Sequence, residues 1–85
     1  MADKKISTSR AVAIRIDNLL KQKNMTKYAF EKKSGIGHGS LNGIMLNKNK
    51  TVTLSMLYQI AEGFNMSVRD FLADPVFDAD NILIG

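Results

Sequence analysis

The stretch from Thr26 to Met45 constrains the fold more than any other part of the chain. Thr26 can cap a helix running from Lys27 to Ser34, and Gly35 suits the left-handed position just past its end. A turn of about three residues follows. Leu41, Ile44 and Met45 then recur at i, i+3, i+4, the spacing of one helical face. A second helix is therefore expected from about His38 to Leu46. Gly35 permits a sharp turn between the two, and Phe30, Ile36, Leu41 and Ile44 are placed to knit them together from inside.

The flanking segments are helical too. Val12, Ile16, Leu19 and Leu20 fall at helical spacing within Ser9–Lys23, a stretch without Gly or Pro. Ser9 is the expected cap of that first helix, and Arg15 lies elsewhere on the wheel. Thr53 can cap a fourth helix reaching Phe64, with Leu54, Leu57, Ile60, Ala61 and Phe64 on one face. Asn65 suits the left-handed residue that ends it. Ser67 can cap a fifth helix, with Asp70 as a weak capping-box partner. That helix ends near Ala73, because Pro75 disfavours helix at Asp74. No strand pattern appears before the tail. The expectation is all-α: a five-helix orthogonal bundle over residues 9–73, a flexible arm at 1–8 and a tail at 74–85. Met25, Met45, Met56 and Met66 read as core fillers.

Composition narrows the function. The 85 residues suit one small domain. With no Cys and a single His, the chain offers no disulfide, thiolate zinc site, His-rich metal centre or cysteine nucleophile. No cofactor is expected, and catalysis is not: His38 would need a nucleophile or carboxylate in reach, and Ser40 at i+2 points to a different helix face. The longest apolar run, Ala11–Ile14, is too short for a membrane span, and none follows Lys4-Lys5 as a signal peptide requires. A cytoplasmic, nucleoid-associated protein is the expectation. The net charge of +4 is polarised. Residues 1–50 hold eleven of the twelve basic residues against Asp3, Asp17 and Glu31, a net of +8. Residues 51–85 hold Arg69 against Glu62, Asp70, Asp74, Asp78 and Asp80, a net of −4. Such segregation can define a basic binding face and an acidic remainder.

Thr26 to Met45 has the plan of a helix-turn-helix, in which the second helix lies in the DNA major groove. From about Ile14 to Leu72 the sequence resembles the Cro/repressor-type (XRE-like) helix-turn-helix domain of phage and bacterial regulators, a lambda-repressor-like fold. The resemblance is carried by Met25-Thr26-Lys27, by the turn Ser34-Gly35-Ile36-Gly37, by Thr53-Leu54 through Leu57 and Ile60-Ala61-Glu62, and by Phe64-Asn65-Met66-Ser67-Val68 with Phe71-Leu72. It implies that Lys27 and Tyr28 meet a phosphate at the start of the second helix. It implies groove-facing roles for His38, Gly39, Ser40, Asn42 and Gly43, and backbone contacts for Asn47, Lys48 and Lys50. The chemistry of these residues agrees: Asn can bond adenine bidentately, and loop lysines can neutralise phosphates.

Three features depart from the family's pattern. Gly37, Gly39 and Gly43 load the third helix with glycine, read either as close approach of backbone to DNA or ordering on binding, or as a drifted helix of weak specificity. Glu31 stands where the family usually has a small buried Ala, so it tilts outward or the helices pack less closely. Leu20 and Met45 replace a salt-bridged pair of some members with an apolar contact. The implied function is a sequence-specific double-stranded DNA-binding transcriptional regulator, acting as a homodimer. The alternative is an antitoxin or other interaction module with weak or non-specific DNA binding, meeting a protein through residues 74–85. The tail, with Ile82, Leu83 and Ile84, either packs back, pairs with a second subunit or is a disordered end.

Overall fold

The computed structural model describes residues 5–46, 48 and 52–83. Five α-helices follow one another: α1 (Thr8–Gln22), α2 (Lys27–Ser34), α3 (His38–Met45), α4 (Leu54–Gly63) and α5 (Val68–Leu72). Two short 3-10 turns follow, Pro75–Phe77 and Ala79–Asn81. The architecture is all-α, as expected, and among the described residues the one β feature is an isolated parallel bridge between Ile6 and Ile82.

Local chemistry sets most helix ends. The hydroxyls of Thr26, Thr53 and Ser67 accept the backbone N–H groups of Ala29, Met56 and Asp70 at 3.0–3.1 Å, satisfying donors that the first helical turn leaves free. Gly35 ends α2 at φ 76°, while Asn24 and Asn65 take φ 54° and 57° in the turns after α1 and α4. The cap of α1 is Ser7 rather than Ser9: the Ser7 hydroxyl accepts the Arg10 N–H at 3.1 Å, and Ser9 is buried inside the helix. Part of the expected arm is held as well. The Ile6 N–H donates to the Asn81 carbonyl at 2.9 Å, and the Leu83 N–H donates to the Ile6 carbonyl at 2.8 Å. This pairing holds the backbone beside Ser7 extended, and the helix starts two residues sooner than expected.

The core gathers the inward faces of all five helices: Val12, Ile16, Leu19 and Leu20 from α1, Phe30 from α2, Leu41 and Ile44 from α3, Ile60 and Ala61 from α4, and Phe71 from α5, joined by Ile36 and Phe64. Met25, Met45, Met56 and Met66 pack on its margin. α2 and α4 pack against each other, and the Phe30 and Phe64 rings stack there at 4.4 Å between centroids. Gly63 makes this possible, since a Cβ there would lie 2.7 Å from both the Phe30 ring and the Ser34 Cβ. Leu54, expected on the buried face of α4, is 65% exposed. It is the first residue of the helix, and a helical side chain leans toward the preceding turn, which α4 lacks there.

Arg15 lies off the apolar face of α1, yet its side chain is only 12% exposed and reaches across to the end of α5. Its Nε donates to the Phe71 carbonyl at 2.8 Å, Nη2 to the Asp70 carbonyl at 3.1 Å, and Nη1 to Asp74 Oδ2 at 3.2 Å. The described tail packs on its own chain. Asp74 Oδ1 accepts the Val76 N–H, Asn81 Nδ2 donates to the Pro75 carbonyl, and Phe77 lies 5.8 Å from Phe71 between centroids.

Candidate nucleic-acid interface

The site is built from α2, the turn at Gly35 and α3. Leu41 and Ile44 bury one side of α3 completely, which leaves His38, Gly39 and Ser40 exposed in its first turn. Asn42 and Gly43 are half-buried. Gly37 caps this helix without a side chain, and a Cβ at Gly37 or Gly39 would meet nothing within 4 Å. Neither glycine is therefore demanded by packing inside the protein.

Lys27 and Tyr28 open α2, both exposed. Tyr28, Glu31 and Lys32 share one face at i, i+3, i+4. Lys32 Nζ lies 5.2 Å from the Tyr28 ring centroid, a cation–π contact that sets a positive charge beside the phenol. The Tyr-to-Lys spacing of four residues is the sequence signal of this contact. Lys48 is exposed after α3, with its N–H donating to the Gly43 carbonyl at 2.8 Å. Asn47 and Lys50 lie outside the described residues.

Glu31 does not tilt freely outward. Its side chain is only 14% exposed, and Oε2 sits 2.8 Å from His38 Nδ1 across the turn. On the other side of the ring, His38 Nε2 is 3.0 Å from Asn42 Nδ2. A chain of hydrogen bonds thus runs from α2 through His38 to Asn42.

Among the described residues no three His, Asp or Glu side chains gather as metal ligands would, and no helix is long and apolar enough to cross a membrane. Two short helices locked by a glycine turn, the second offering its polar first turn to solvent, define a helix-turn-helix protein of the DNA-binding class. Within that class the chain belongs to the family of the Cro/C1-type HTH DNA-binding domain, whose model matches residues 15–75. No curated protein and no solved structure matches it significantly.

Proposed function

We infer that this DNA-binding domain is a sequence-specific transcriptional regulator that inserts α3 into the major groove. The observation that carries this reading is the exposed start of α3, where the only side chains beyond hydrogen are His38, Ser40 and, one turn on, Asn42. Ser40 and Asn42 offer hydrogen-bonding atoms suited to base edges, and His38 stands beside them, bonded to Asn42. Gly39 and Gly43 let the backbone come close, a use supported at Gly39 by the open space where a Cβ would stand. Lys27, Tyr28, Asn47, Lys48 and Lys50 contact the phosphate backbone, giving affinity without sequence information.

The regulator binds as a homodimer on a palindromic site, with its two copies of α3 about 34 Å apart to meet successive major grooves. It works in the cytoplasm, at the nucleoid, without a catalytic step. The rival reading, an interaction module that uses residues 74–85, is less favoured: Asp74, Phe77 and Ile82 are already engaged by Arg15, Phe71 and Ile6. Selection of bound duplexes from a random pool tests the proposal. A palindromic consensus is expected to enrich, and a pool that stays random would exclude sequence-specific recognition.

A further inference from the structure

We propose that Glu31 is the specificity-determining residue of this helix-turn-helix, acting through His38 to orient Asn42 for adenine. The inference rests on the major-groove reading and deepens it. A carboxylate has only acceptors, so Glu31 Oε2 at 2.8 Å places the ring hydrogen of neutral His38 on Nδ1. Nε2 is then a bare lone pair that can only accept. Asn42 Nδ2 is the group 3.0 Å from it, so Asn42 must donate there, and its amide is held in one of its two flipped orientations. One N–H of Asn42 is consumed. Its carbonyl oxygen and remaining N–H are left over, an acceptor–donor pair of the kind that matches the N6 hydrogen and N7 of adenine.

His38 is thereby a positioning residue. It is 74% exposed, but both of its ring nitrogens are occupied within the protein, and Asn42 four residues on presents the result to the groove. Without the Glu31 carboxylate, His38 is free to carry its hydrogen on Nε2. Asn42 then flips to accept it, so its outward acceptor and donor exchange places along the groove. In the same pose the exchanged pair no longer meets the N6 hydrogen and N7 of adenine, so the preference for adenine at that position relaxes.

Two readouts on the full chain test this. His38 is the single histidine, so its ring nitrogens are assigned without ambiguity in a long-range proton–nitrogen correlation spectrum. The wild type is expected to show Nδ1–H, Glu31→Ala to move toward Nε2–H, and Glu31→Gln, which keeps an acceptor oxygen, to restore the wild-type pattern. In selection from a random duplex pool, Glu31→Ala is expected to lose about tenfold of its adenine preference at one base pair of each half-site, while overall affinity for DNA falls far less. Ala at a helix interior favours folding of α2, and Asn42→Ala cuts the same chain at its other end, so the test does not depend on one variant being stable. An unmoved ring spectrum in Glu31→Ala overturns the proposal. So does an unchanged adenine preference in either Ala variant. A wild type that enriches no sequence overturns the sequence-specific reading itself, whatever the ring spectrum shows.

Discussion

Gly63 and Gly39 are both helical glycines, and the structure gives them opposite meanings. At Gly63 a methyl group would lie 2.7 Å from the Phe30 ring and the Ser34 Cβ, in the tightest contact between α2 and α4. Both neighbours are buried, and Phe30 is itself stacked on Phe64, so neither can move without disturbing the core. Gly63→Ala is expected to cost about 1–3 kcal/mol. Thermal unfolding checks this, at about 4–8 °C of lowered midpoint per kcal/mol in a domain of this size. At Gly39 nothing stands within 4 Å of the missing Cβ, and the helix would favour Ala by up to about 1 kcal/mol. Gly39→Ala should therefore raise the melting temperature. If the glycine serves close approach to DNA, the same variant binds its selected duplex more weakly; a helix that has merely drifted would bind as well or better. Titration of one duplex with both proteins decides between the two readings. Gly63 was not singled out in the sequence, because what demands it is the position of α2, and no local pattern carries that.

Among the elements, α5 is the one whose existence depends most on a distant partner. It has five residues, and the carbonyls of Asp70 and Phe71 near its end accept from the Arg15 guanidinium on α1. Such a fork meets the carbonyls that a helix end leaves free and sets a positive charge where the helix dipole is negative. Hydrogen bonds from a charged donor contribute about 1.5–3 kcal/mol each at most; the one to Phe71 is partly shielded from water and the one to Asp70 is exposed. Arg15→Ala is expected to lower stability by about 2–3 kcal/mol, and Arg15→Lys to recover only part of it, since an ammonium cannot span three acceptors in a plane. Denaturant unfolding measures the loss. Amide exchange should show α5 and the turn at Pro75 opening before the rest. The contrast with the caps explains what could be read beforehand. Thr26, Thr53, Ser67, Gly35 and Asn65 act on backbone within a few residues of themselves, so spacing alone reveals them. Arg15, by contrast, bonds residues 55 to 59 positions away, and Ile6 pairs with Ile82. Glu31 meets His38 only because the turn at Gly35 folds α3 back. The scaffold of the candidate site was therefore legible, and the hydrogen-bond chain inside it was not.

For the whole molecule the governing quantity is the distribution of charge. The half up to Lys50 carries a net +8 and the remainder −4. Lys27, Lys32, Lys33 and Lys48 are exposed around the two helices of the motif, whereas exposed Asp70, Asp78 and Asp80 lie on α5 and the tail. A basic face of this kind releases counterions when it meets phosphates, so the logarithm of the affinity falls with the logarithm of salt concentration by about 0.9 per phosphate contact. That slope also counts subunits. If one chain binds alone, Lys48→Ala removes one contact and makes the slope shallower by about one. If two chains bind a palindrome, each loses its contact and the change is about two. Lys27→Ala is expected to do the same, and in both variants the base preference stays that of the wild type, because phosphates carry no sequence information. Arg69→Ala, in the acidic half, should leave the slope where it is. Titrations of the selected palindrome and of its isolated half-site at several salt concentrations provide the check. A change near two on the palindrome and near one on the half-site is the outcome expected of a homodimer with α2 and the loop after α3 on the backbone. An equal change on both duplexes would mean that a single chain is the binding unit, and no change would place Lys27 and Lys48 outside the interface.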